Sequence, residues 1–190
     1  MTQSSPQPQT TPNQTPNENG ALVHSYAVLL LIAIASISLD QWSKNLVRMN
    51  LAFGETFVPW PEQVPILRIV HWGNEGAAFG LFQGGGSLFM VLAVVVALLI
   101  IFYFPSIDHR SWLIRVAMGL QMGGALGNFL DRVNYGYVTD WLAIHRFYVF
   151  NVADSSVTVG AALLILFTIL TERRERKERR QAEADVPSRE

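Results

Sequence analysis

The sequence predicts an all-α membrane protein, with four transmembrane helices and a small extracytoplasmic β-containing segment. Three observations carry this. Four stretches are apolar enough, and near enough to about 20 residues, to cross a bilayer. A basic run follows directly on the last of them, as membrane-flanking anchors do. The segment between the first two mixes Pro and Gly turns with β-favouring residues and is too polar to cross.

The first span is expected over His24–Asp40 and the second over Ser87–Phe104, between a GGG run and Pro105. The third, Trp112–Leu130, is the most polar, but its GLQMGGALG stretch offers a face of small residues for close helix packing. The fourth runs from Asn151 to Thr171. Between spans one and two, ILRIVHW is strand-like, and AIHRFYVF (143–150) is expected to join it; Trp60 and Trp72 suit the depth of a membrane interface.

Half of the 190 residues are apolar and the formal net charge is −1. Residues 1–23 form a Pro/Gln/Thr/Asn-rich tail without Lys or Arg, expected to be disordered. Residues 24–171 are expected to form the four-span domain, and 172–190 a basic cytoplasmic tail. Half of all Lys and Arg fall between Thr171 and Glu190. Following a hydrophobic span, they argue for a membrane flank and against nucleic-acid binding. The first span lacks a basic leader and a cleavage site and is expected to be retained.

The absence of Cys excludes disulfides and thiolate nucleophiles, and His24, His71, His109 and His145 show no metal-ligand spacing. No metal or other cofactor is expected. The positive-inside rule places the C-terminus in the cytoplasm and, with an even number of spans, the N-terminus as well. Arg110 and Arg115 then also lie inside. Helices one and three run outward, which brings Asp40, Lys44, Asn128, Asp131 and Arg132 to the outer face. Asn74 with its NEGAAFG motif, Asp140 in GYVTDW, and Asn151 and Asp154 converge on the same face. Ionisable groups at such depth are costly and point to a functional site.

Helix capping accounts for part of this, since Asn151 suits an N-cap with Asp154 three residues on. Asp40 and Lys44, spaced i, i+4, suit a structural ion pair. Ser43 beside Lys44 makes a poor dyad, because adjacent helical residues diverge by about 100°. A pair of carboxylates sharing a proton is the stronger chemistry: the ionised one takes a proton from water, the other donates to the scissile carbonyl. Asp131, Asp140 and Asp154 are all candidates, with Asp140/Asp154 weakly preferred on residues alone. A small polytopic transporter using intramembrane acids for proton or ion coupling is the alternative. A scaffold using the acids only as caps is a third possibility.

The blocks DQWSK (40–44), NEGAAFG (74–80), GGALGNFLDRV (123–133), YVTDW (137–141) and FNVADSS (150–156) resemble the bacterial lipoprotein signal peptidase family, signal peptidase II. The likeness covers nearly the whole chain apart from its tails. It implies an aspartyl dyad at Asp140 and Asp154, with Asn74, Asn128, Asp131, Arg132, Asn151, Asp40 and Lys44 supporting the site or holding substrate. It further implies an intramembrane endopeptidase of the bacterial cytoplasmic membrane. Such an enzyme removes the signal peptide of a diacylglyceryl-modified prolipoprotein by cutting before the lipidated Cys. It would act as a monomer among membrane lipids, with its site near the outer face. The chain departs from the family pattern in the WLAIHRFYVF run after Asp140, in HWGN around Asn74 and in the long N-terminal tail.

Overall fold

The computed structural model describes residues 18–59, 67–76, 85–107, 111–144 and 148–184. Trp60, residues 77–80 of the NEGAAFG motif, His109, Arg110, His145 and tail residues 1–17 fall outside them. Four helices carry the molecule: α1 (Glu18–Asn50), α2 (Gly86–Tyr103), α3 (Trp112–Tyr135) and α4 (Val152–Ala184). The strands β1 (Thr56–Phe57), β2 (Leu67–Asn74), β3 (Val138–Ile144) and β4 (Tyr148–Phe150) form one antiparallel sheet in the order β1-β2-β3-β4. Residues 67–72 of ILRIVHW, and 143–144 and 148–150 of AIHRFYVF, enter the sheet as expected, while 66 and 145–147 lie outside the described residues; Trp72 stands half exposed on the sheet.

Among the described residues, three helices are long and apolar enough to cross a membrane: Asn19–Asn50, Gly86–Ser106 and Val152–Ala182. The third expected span, α3, is 24 residues long, about 36 Å at 1.5 Å per residue, but is less apolar than the others. Its position explains its composition. α3 packs against α1, α2 and α4 together and buries Ile114, Ala117, Met122, Gly123, Gly124 and Gly127. A helix enclosed by three others needs small contact residues more than a greasy exterior. A Cβ added at Gly124 would lie 2.5 Å from the Ala153 carbonyl oxygen of α4, so the two backbones meet where only glycine fits.

Two helices run well past their expected ends. α1 continues beyond Asp40 to Asn50, because Asp40 and Lys44 neutralise each other inside the bundle and the helix need not stop at a charge. It also begins at Glu18, ahead of His24, so the last residues of the polar tail are helical. α4 carries the basic run as helix to Ala184, braced by surface pairs such as Arg174–Glu178 at 2.9 Å.

The bundle is polarised along its length. Leu29, Ala33, Ala97, Ile100, Phe104, Ile114, Met118 and Met122 form an apolar core at one end. The charged and amide side chains gather at the other, beneath the sheet. α3 stops at Gly136, whose left-handed φ of 80° permits the reversal into β3 and whose N–H returns to the Arg132 carbonyl. That turn carries Asp140 back over the last turn of α3.

Candidate active site

Asp131 and Arg132 close α3, and their side chains diverge as adjacent helical residues must. Asp131 turns into the bundle and is fully buried. Its carboxylate meets Lys44 Nζ at 3.2 Å and Arg48 Nη1 at 3.4 Å, and accepts hydrogen bonds from Gln41 Nε2 and from the Thr139 backbone N–H at 2.8 Å. Arg132 faces the opposite way, donating to the Gly76 carbonyl at 3.1 Å with its guanidinium 5.0 Å from the Phe89 ring centre.

The ion pair expected between Asp40 and Lys44 forms at 2.8 Å, with both side chains fully buried. It does more than brace α1. Asp40 Oδ1 accepts from the Ala153 N–H in the first turn of α4, at 2.9 Å. Gln41 ties Asp40, Asp131 and the Gly127 carbonyl together. Two acids and two bases, Asp40, Asp131, Lys44 and Arg48, make the cluster electrically balanced, which lets it persist without water.

Above this cluster lies a second, amide-rich layer. Lys44 Nζ donates to Asn128 Oδ1 at 2.9 Å, which leaves the Asn128 amide N–H free to donate to Asp154 Oδ1 at 2.8 Å. Asn151 Nδ2 bridges Asn128 Oδ1 at 3.2 Å and Asp140 Oδ1 at 2.7 Å. Asn74 Nδ2, from the end of β2, donates to Asp140 Oδ2 at 3.0 Å. The expected cap also forms as a reciprocal box. Asp154 N–H donates to Asn151 Oδ1 at 2.9 Å, and Asn151 N–H returns to Asp154 Oδ2 at 3.3 Å.

Asp140 and Asp154 line one open cavity of about 360 Å³ together with Asn74, Asn128 and Arg132. Phe89, Leu92, Ala93 and Val96 of α2 form its apolar wall. Burial, and after it the charge of Asp154, push the Asp140 carboxyl up to about 7, against the pull of its Asn74 and Asn151 hydrogen bonds and of Lys44. One carboxyl at this site therefore holds its proton near neutrality while a second acid stands in the same cavity. Partial burial and then the same two acids also raise the Tyr148 phenol at the cavity edge.

Eight of the nine site residues expected from sequence lie in these two layers and the ninth, Arg132, at the cavity wall, but they divide. Asp140, Asp154, Asn74, Asn128 and Arg132 line the cavity; Asn151 links the two acids from just behind; Asp40, Lys44 and Asp131 lie beneath. Asp131 has its oxygens engaged by Lys44, Arg48, Gln41 and Thr139 and does not line the cavity. Sequence reasoning missed Gln41, Arg48 and Thr139. Arg48 was legible in principle, because Asp40, Lys44 and Arg48 repeat at four-residue spacing along one helix face. The serines beside the acids are spoken for: Ser43 Oγ bonds the Asp40 carbonyl and Ser155 Oγ the Asn151 carbonyl, each within its own helix. Among the described residues, no group of three or more His, Asp or Glu side chains converges as a metal-binding set.

Membrane-length helices, a sheet at one end and two carboxylates lining one cavity beside it define a membrane protein with an acidic site. The family model for signal peptidase (SPase) II matches residues 32–170, and the chain belongs to that family. It is 41% identical over 143 residues to a lipoprotein signal peptidase of Halothermothrix orenii, covering 75% of this chain and 92% of the relative. A lipoprotein signal peptidase of Enterococcus faecalis is 38% identical over 150 residues, covering 77% of this chain and 90% of the relative. A solved structure described as a bacterial membrane enzyme superposes with a TM-score of 0.69 at 31% identity, over 75% of this chain and 88% of that one. The transporter alternative finds no support among these relatives.

Proposed function

We propose that the protein is an aspartic endopeptidase that removes signal peptides from prolipoproteins, with Asp140 and Asp154 as its catalytic pair. One observation carries this: both acids hang from the same Asn151–Asn128 amide bridge and face the same cavity. Asp140, the carboxyl held up near 7, donates its proton to the scissile carbonyl oxygen. Asp154 takes a proton from a water, whose oxygen attacks the carbonyl carbon. The resulting diol collapses as the proton on Asp154 passes to the leaving amide nitrogen, breaking the C–N bond; Asp140 regains its proton from the diol. Arg132 and Asn74, at the cavity wall, are placed to hold the substrate backbone, while Asp40, Lys44 and Asp131 hold the helices that carry the acids.

The relatives' activity is read onto this chain as cleavage before a diacylglyceryl-modified Cys. The apolar wall from Phe89 to Val96 suits a substrate whose lipid remains in the bilayer. α3 serves as a span alongside α1, α2 and α4, which screen its polar residues, and residues 24–171 form the membrane unit. The basic run in the last part of α4 supports placing both termini in the cytoplasm and the site near the outer face of a bacterial cytoplasmic membrane. The site is assembled within one chain, in keeping with a monomer surrounded by lipid. Purified Asp140→Asn and Asp154→Asn proteins, folded and at wild-type level, are expected not to cleave a lipid-modified precursor. Full activity in either overturns the pair, and partial activity in Asp131→Asn is expected from its place below the cavity.

A further inference from the structure

Arg48 lies outside the motif blocks and outside the cavity, yet it occupies the junction of α1, α3 and β3. Its side chain is 12% exposed, with Nη1 3.4 Å from Asp131 Oδ1 and 2.9 Å from Thr139 Oγ1, and its guanidinium rests 4.4 Å from the centre of the Tyr135 ring. Thr139 is fully buried and its N–H also binds Asp131. Successive strand residues point to opposite faces. Holding the Thr139 side chain against α1 and α3 therefore aims the next residue, Asp140, at the cavity. From the other side β2 steadies this part of β3 through the Trp72–Asp140 and Asn74–Val138 pairs, and Asn151 holds the Asp140 carboxyl.

We infer that Arg48 is a positioning residue for the acid pair, acting on Asp140 through Thr139 and on Asp154 through Lys44 and Asn128. The second route follows from charge balance. With Arg48 present, Asp131 has a cation besides Lys44, and Lys44 can also donate to Asn128, which holds Asp154. Without it, the buried cluster carries an excess negative charge and Lys44 is drawn towards Asp131. A displacement of about 1 Å at reacting groups costs on the order of 100-fold in rate.

This inference rests on the Asp140/Asp154 assignment, and the test keeps the two apart. Full-length Arg48→Met, Arg48→Lys and Thr139→Val proteins are assayed on lipid-modified precursor beside wild type and Asp140→Asn. Arg48→Met is expected to lose about 10- to 100-fold in kcat with KM within about threefold of wild type. Its alkaline pH limb should move upward, because Lys44, whose charge holds the Asp140 carboxyl down, is drawn towards Asp131; Asp140 otherwise faces Asp154 of α4, Asn151 just before it, Asn74 of β2, Tyr148 of β4 and Arg132 of α3. Arg48→Lys restores the lost charge but not the planar contact with Tyr135, so it should return the limb and recover the rate in part. Thr139→Val keeps the shape and the charge, so it should lower kcat without moving the limb. It also decides the matter alone if Arg48→Met does not fold. Wild-type kcat in Thr139→Val, or a change in Arg48→Met confined to KM, overturns the inference. Activity in Asp140→Asn instead removes the acid pair itself.

Discussion

Asn151 Nδ2 lies 2.7 Å from Asp140 Oδ1, so the residue that caps α4 also holds the acid of β3. Through its Oδ1 the same side chain accepts the Asp154 N–H. Helix capping and the pairing of the acids are one hydrogen-bonded arrangement, and neither can be altered without the other.

Asn151→Ala should therefore fail twice. Loss of an N-cap costs about 1 kcal/mol, which should appear as a lower midpoint of thermal unfolding in detergent. Cleavage should fall by more than about tenfold, because a lost hydrogen bond to a charged group is worth about 1.5–3 kcal/mol. A variant that is less stable but fully active would show that Asn151 only caps.

The Asp140 carboxyl, pushed up to about 7, sets the direction of the pH response. An acid that must donate a proton fails once it is ionised, so kcat/KM should decline as pH rises through about 7. The pH profile of cleavage in detergent tests this. A rate still rising between pH 7 and 9 would exclude Asp140 as the proton donor.

Lys44 is fully buried between Asp40 and Asp131, at 2.8 and 3.2 Å. Lys44→Met leaves two buried acids with too little compensation, and removing one partner of such a pair costs about 3–5 kcal/mol. The double variant Lys44→Met/Asp40→Asn, with one acid neutralised, should recover part of that loss in thermal unfolding. Equal stability of the single variant and wild type would contradict the balanced-charge account.

Gly124→Ala would place a Cβ 2.5 Å from the Ala153 carbonyl oxygen and 2.8 Å from Val157 Cγ2. The obstacle is backbone, so α3 and α4 must separate, at about 1–3 kcal/mol. Asn128 and Asp154 move apart with them, so activity should fall alongside stability. Gly86→Ala, whose nearest neighbour would be the Gly136 carbonyl at 3.8 Å, serves as the control and should behave as wild type.

Much of this protein is determined locally and is legible in the chain. Runs of Leu, Ile, Val and Ala demand helix and membrane, because neither unpaired backbone nor apolar side chains tolerate the alternatives. ILRIVHW declares strand by its β-branched and aromatic residues. Asn151 and Asp154 declare a helix start by their three-residue spacing. The motif blocks, read together, pointed to the family and to every residue of the two polar layers except Gln41, Arg48 and Thr139.

The division of labour among those residues was decided only by tertiary contact. In sequence, Asp131, Asp140 and Asp154 are three acids at helix or strand ends with little to separate them. In the fold, the Gly136 reversal lays β3 over α3, so that Asp131 meets Lys44 and Arg48 from α1 while Asp140 meets the amides of Asn74 and Asn151. A carboxyl beside cations and one beside amides and another acid have different chemistry, though the residue is the same. Proton affinity depends on what stands within a few ångströms in space, and chain order does not record it.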